Sequence, residues 1–277
     1  MKRIIVPIDF SEQSEFALEV AANLAQKYGS ELIVLHMLEL SNAILTTNGT
    51  AINDEAVFYL KLAEQKFEAF LDKPYLEGVK VTPILKHFKV FSEVNEVANE
   101  HQANLIVMGS HGASGVKEAL IGSNTEKVVR NSDIPVLVIK HNPILLDFEN
   151  AVFASDFSDD AVKPYLNAKV TFDKLGAKMH LVYVNSPDGN FRSSAEIDKK
   201  VSLFLKKADG DLSNISKVNV VSDYSIEKGI LNFASIIGAD LIAVATHGRK
   251  GLAHFFEGSI SEDIANHSTL PVMTFKI

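Results

Sequence analysis

Apolar and polar residues follow two alternating periods along this chain, and each change of period marks an element. Five short runs are apolar almost throughout: "RIIVPI" (3–8), "ELIVLHM" (31–37), "VKVTPIL" (79–85), "NLIVMG" (104–109) and "IPVLVIK" (134–140). Such runs, bounded by polar or glycine residues, predict strands buried on both faces. Between them the period lengthens. Residues 12–28 place Phe16, Leu18, Val20, Ala21, Leu24 and Ala25 at helical spacing, and "FYLKLAEQKFEAFL", "FSEVNEVANEH" and residues 123–131 predict three further helices. The second half repeats the scheme with "AVFAS", "KMHLVYV", "VNVVS", "DLIAVA" and "LPVMTFK". Doubly buried strands alternating with helices indicate a parallel sheet covered on both sides. The expected fold is two tandem doubly wound, Rossmann-like α/β domains.

The halves are copies of one another. Residues 106–140 align with 242–276 without a gap, pairing His111/His247, Gly112/Gly248, Gly115/Gly251, Gly122/Gly258, Ser123/Ser259, Glu126/Glu262 and Pro135/Pro271. The amino-terminal parts align as "RIIVPIDFSEQSEFAL" with "NAVFASDFSDDAVKPY", which pairs Asp9 with Asp156. A unit this long is a duplicated domain, since solenoid repeats run to about 20–50 residues. Asn142-Pro143 breaks the pattern, so the domains are placed at 1–142 and 148–277.

Composition narrows the function. The 277 residues are 47% hydrophobic and 22% charged, which is globular, and there is no cysteine to supply disulfides, thiolate metal ligands or a thiol nucleophile. The amino terminus lacks a signal-peptide apolar core, and no run approaches the ~18 apolar residues of a membrane span. A cytoplasmic protein without membrane contact is expected. A net charge of −8 and the absence of tryptophan argue against nucleic acid as a partner.

The candidate chemistry sits in "MGSHGASGVKEALIGS" (108–123), a glycine-rich loop between the fourth strand and a helix. In open α/β sheets ligands bind beyond the carboxyl ends of the strands, where connections diverge. Asp9 ends the first strand and Gly109 the fourth, so neighbouring strands would set carboxylate and loop on one crevice. Glycines let backbone N–H groups approach an anion, and Ser123 opens a helix whose first N–H groups favour negative charge. A second reading is a capping box, Ser123 with Glu126 and Ser259 with Glu262. The loop is neither a Walker A sequence nor G-x-G-x-x-G.

The spacing Gly109-x2-Gly112-x9-Gly122-Ser123 resembles the ATP-binding signature of the universal stress protein (UspA) family. "RIIVPIDFS", "VLHM", "LIVMGSHG" and "IPVLVIK" are similar to that family in the same order, twice along the chain. The resemblance implies a strand order of 3-2-1-4-5 and ATP, with magnesium, as the ligand of a stress-response module. It implies that Pro7, Ile8, Asp9 and Met37 meet the nucleoside, that Met108, Gly109, His111 and Gly112 line the loop, and that Gly122, Ser123, Asn124 and Thr125 receive the phosphates. Plain core packing is the other reading of Met37 and Met108. The resemblance also implies pairing through the last strands, here an internal pseudo-dimer with possible homodimerisation.

The second copy departs from the signature: Ala245 stands at the Gly109 position and Ala154 at that of Pro7, while Asp156, Val184, Gly248, Gly258 and Ser259 remain and Arg249 adds a cation. If the Gly109 position needs positive φ or close backbone approach, a methyl group costs about 1 kcal/mol or more. A weakened or repurposed second site is expected. His111 reads as a base or as a backbone-bonded turn residue. No zinc spacing or serine elbow accompanies it, so no catalytic residue is assigned and at most slow ATP hydrolysis is expected. The alternatives to a nucleotide-binding module are a weak ATPase or phosphotransfer enzyme and an interaction scaffold whose sites hold no nucleotide.

Overall fold

A computed structural model describes residues 1–38, 50–87, 93–110, 122–141, 147–187, 191–246 and 260–277. The chain divides into two compact units whose main bodies are residues 1–118 and 144–277. In the first half, β1 (Arg3–Ile8), β2 (Glu31–Leu38), β3 (Val81–His87), β4 (Leu105–Gly109) and β5 (Val136–Ile139) lie side by side in the order β3-β2-β1-β4-β5. β1 runs parallel to β2 and β4, and β2 to β3. The helices are α1 (Glu12–Tyr28), α2 (Thr50–Leu71), α3 (Val94–Glu100) and α4 (Ser123–Asn131).

The second half holds β6 (Asn150–Ala154), β7 (Lys178–Asn185), β8 (Val218–Ser222), β9 (Leu241–Thr246) and β10 (Val272–Lys276) in the equivalent order β8-β7-β6-β9-β10. Its pairings β6–β7, β7–β8, β6–β9 and β9–β10 are parallel. Its helices are α5 (Val162–Leu175), α6 (Ser194–Ala208), α7 (Ile226–Ile236) and α8 (Ile260–His267). Both halves are therefore doubly wound with the 3-2-1-4-5 order.

The central runs become strands because little in them tolerates water; β3 and β8, the last strands in their orders, hold no buried residue among those described, so the expectation of burial on both faces fails there. Ile4, Ile5, Val6 and Ile8 of β1 and Leu105, Ile106 and Val107 of β4 are wholly buried, as a central strand covered on both faces requires. α1 starts where the Ser11 side chain accepts the Ser14 N–H and stops where Gly29 turns left-handed at φ 61°. Its buried stripe includes Ala17, Leu18, Val20, Ala21, Leu24 and Ala25. Phe16, counted with the apolar positions, is only half-buried. Among the described residues no helix is long and apolar enough to cross a membrane.

Candidate functional site

Strands β1 and β4 are neighbours, as the crevice reading requires. Their register pairs Ile4 with Leu105 and Ile5 with Ile106; continued along both strands it sets Ile8 opposite Gly109, with Asp9 and Ser110 next in line. Asp9 anchors the turn into α1, its Oδ1 accepting the Ser11 N–H at 3.1 Å and the Ser11 hydroxyl.

The residue between them was not singled out by sequence. Phe10 has φ 63°, a left-handed conformation that bulky side chains resist and that surrounding contacts must hold. Its ring centroid lies 4.3 Å from that of His36, 5.6 Å from Phe70 and 6.1 Å from Phe67. His36 Nδ1 is 2.9 Å from the Ile8 carbonyl oxygen. Burial pushes the His36 pKa below its ordinary 6.5, against that hydrogen bond. An aromatic cluster thus clamps the turn that aims Asp9. The available signal was the shared "DFS" of the two halves.

The start of α4 is bolted to the end of β4. Gly122 N–H donates to the Ser110 carbonyl at 2.7 Å, and the Thr125 hydroxyl donates to the Gly109 carbonyl at 2.8 Å. Gly122, not Ser123, is the cap residue; its backbone is extended and, as a glycine, it brings no side chain to the cap. The capping box from Ser123 to Glu126 is not formed, because Ser123 already occupies the first helical position and the Glu126 carboxylate pairs with Arg130 one turn on. The first helical bond runs from Glu126 N–H to Gly122 O at 3.0 Å. The N–H groups of Ser123, Asn124 and Thr125 therefore have no partner inside the helix, and their dipoles sum at that end. Ser123 is exposed, whereas Thr125 is buried and its hydroxyl is committed to Gly109.

The remaining predicted residues fall in different places. Pro7 and Ile8 are buried within β1. Met37 and Met108, 4% and 3% exposed, pack in the interior and offer a base little surface. Gly109 has no left-handed backbone; what it needs is space, since a Cβ there would come within 2.7 Å of the Gln13 carbonyl group. His111 and Gly112 lie outside the described residues, as do Gly248, Gly258 and Ser259 of the second copy.

A model of the universal stress protein family matches residues 1–140 and again residues 147–276. The chain belongs to that family. Universal stress protein MJ0577 of Methanocaldococcus jannaschii is 31% identical over 153 residues, which span 50% of this chain and 94% of that protein. Universal stress protein YxiE of Bacillus subtilis is 32% identical over 151 residues, 50% of this chain and 98% of its own. A crystal structure of a universal stress protein from Archaeoglobus fulgidus covers 99% of this chain and 98% of its own at a TM-score of 0.67 and 27% identity. This chain is thus a tandem universal stress protein of the same architecture.

Within that family fold the second repeat surrounds the equivalent residues differently. Phe157 keeps the left-handed turn at φ 54°, clamped by Phe204 at 5.1 Å and Tyr183 at 6.2 Å between centroids. Asp156 Oδ1 accepts the Ser158 N–H at 3.0 Å, but Oδ2 lies 3.7 Å from Lys200 Nζ. Val184, at the position of Met37, is packed against α7, where a Cβ on Gly229 would come 2.6 Å from Val184 Cγ1. The helix after β6 is also rebuilt: Ser158 caps nothing with its side chain, a 3-10 turn covers Asp159–Ala161, and α5 begins only at Val162.

Proposed function

We propose that the first repeat binds ATP, with its triphosphate at the start of α4 and its nucleoside beside Asp9, and that occupancy makes the chain a nucleotide-dependent stress-response module. The observation that carries this reading is the glycine-capped α4 terminus, held by Gly122 and Thr125 against the end of β4. Three N–H groups at the positive end of a helix dipole suit a polyanion. The extended Gly122 adds no side chain in front of them. Among the described residues no three His, Asp or Glu side chains group to hold a metal. A magnesium ion would accordingly arrive with the phosphates and keep most of its water.

The site is read as binding rather than catalytic, with phosphate release no faster than a slow background. The second repeat is read as weaker for the same ligand, because Lys200 engages Asp156 and α7 backs Val184.

Heating the full chain with and without ATP and magnesium tests the reading. A ligand at about 100 times its Kd adds about 2.7 kcal/mol of stability, a rise of several degrees in Tm. Ser123→Asp, which sets a carboxylate where the phosphates are placed, is expected to abolish that rise while leaving the unliganded Tm unchanged or slightly higher. An unchanged Tm with ATP, together with no adenine nucleotide released from the denatured protein, would end the proposal.

A further inference from the structure

The two repeats begin their first helix differently, and two residue exchanges between them bear on one peptide group. A Cβ at Gly109 would lie 2.7 Å from both C and O of Gln13 and 2.9 Å from its Cβ, far inside contact distance. Gln13 is the second residue of α1, and in an α-helix its carbonyl accepts the N–H of Ala17, four residues on. In the second repeat Ala245 stands at the Gly109 position, Asp160 at that of Gln13 and Pro164 at that of Ala17. A proline has no N–H to give that carbonyl, and its ring clashes with the carbonyl four residues back. In the geometry of the first repeat, methyl group and ring would press on the same carbonyl.

The second repeat resolves the conflict by tightening the first turn. Ala161 N–H donates to Ser158 O at 3.1 Å, and Val162 N–H donates to Asp159 O. α5 then starts at Val162, which makes Pro164 its third residue, where no donor is required. In the first repeat Glu15 N–H reaches Ser11 O at 3.0 Å, and the Ser11 side chain caps the helix from its first turn. α1 accordingly lies mainly over β4 and β1, whereas α5 spreads thinly over β6, β7, β9 and β10.

We propose that Gly109 is a positioning residue acting through the Gln13 carbonyl: its missing side chain lets α1 start at Glu12 under the Ser11 cap, and the Ser11 hydroxyl so placed holds the Asp9 carboxylate. Ala245 and Pro164 are the compensated pair that replaces this arrangement. Once residue 164 has no N–H, a carbonyl displaced by the Ala245 methyl forfeits no helical bond, so either exchange alone is costly and the two together are cheaper than their sum. The consequence for nucleotide affinity rests on the ATP-binding reading of the first repeat; the helix coupling does not.

The full chain is compared with its Gly109→Ala, Ala17→Pro and doubly substituted forms by thermal unfolding, amide exchange at Ser14 and Glu15, and ATP titration. Each single exchange is expected to lower Tm and to speed exchange at both amides at least tenfold. Gly109→Ala is also expected to weaken ATP at least tenfold. The double form is expected to be no less stable than the worse single form. Losses that simply add, or a Gly109→Ala form that loses ATP with amide exchange unchanged, overturn the proposal, the latter because the glycine then acts on the ligand directly. If Gly109→Ala does not fold, a double form that folds supports the coupling and one that also fails overturns it. Should the unaltered chain bind no ATP, the nucleotide reading fails, while Tm and exchange still decide the helix coupling.

Discussion

At the amino-terminal edge of the sheet, the first repeat gathers its polar contacts on Glu31 at the start of β2. Its carboxylate takes Arg3 Nε at 3.1 Å, Lys80 Nζ at 3.0 Å and the Thr82 hydroxyl at 2.8 Å. The second repeat has Lys178 there, exposed, and gathers its contacts on Asp209 after α6 instead. Asp209 accepts from the Tyr165 hydroxyl at 2.7 Å, Lys169 Nζ at 2.9 Å and Asn214 Nδ2 at 2.8 Å. At the opposite edge the repeats agree in the turn: Phe10 and Phe157 are both left-handed below Asp9 and Asp156, with His36, Phe67 and Phe70 packed on the first ring and Tyr183 and Phe204 on the second. Duplicated folds keep what geometry makes hard to replace. A left-handed aromatic corner depends on several packed rings at once, whereas any carboxylate within reach of two or three donors can tie down a sheet edge.

The largest effect that would break this comparison lies at the aromatic corner. Phe157→Ala is expected to cost about 3–4 kcal/mol, since a buried ring leaves a cavity. Phe10→Ala, at a half-buried position, is expected to cost about 2 kcal/mol; urea unfolding of both variants checks the ranking, and a reversed order would contradict it.

At the sheet edge, Glu31→Gln is expected to cost about 1 kcal/mol at neutral pH, and Lys178→Gln under about 0.5 kcal/mol. The hydrogen bonds from Lys80, Thr82 and Arg3 hold the Glu31 pKa down from 4.5 to about 2. A carboxylate with a depressed folded-state value gives its full stability above pH 4.5 and loses it as pH falls toward about 2. Acid titration of stability should show that loss in the parent chain and a shallower one in Glu31→Gln.

The smallest effect concerns His36. Burial disfavours its charged form, so its contribution is intact above pH 6.5 and declines as acid protonates the unfolded chain first. His36→Tyr, the residue of the other repeat, should flatten the stability profile between about pH 7.5 and 5, the gap from the parent changing toward the acid end. Tm measured across that range decides it.

Much of the fold was legible because burial acts on short stretches. "RIIVPI" and "NLIVMG" are too apolar to face water on either side, and both lie in the interior as β1 and β4. The duplication was legible from aligned residues alone. Less could be read of the site. Ser123 looked like a cap, but Gly122 holds that position because its N–H is drawn to the Ser110 carbonyl, a contact made across the fold. Phe10 gave no chemical cue, since its left-handed backbone is imposed by rings from β2 and α2 far along the chain.

The amino-acid sequence by itself determined two copies of an alternating strand–helix chain, the positions of the glycines and the changes at Ala245 and Pro164, because periodicity and composition are local quantities. Only the tertiary structure decided what the changes mean. The nearness of Gly109 to the Gln13 carbonyl, and of Lys200 to Asp156, depends on how helices settle on strands that are distant in the chain. A missing methyl group acquires a purpose only when something lies within three ångströms of where it would have been.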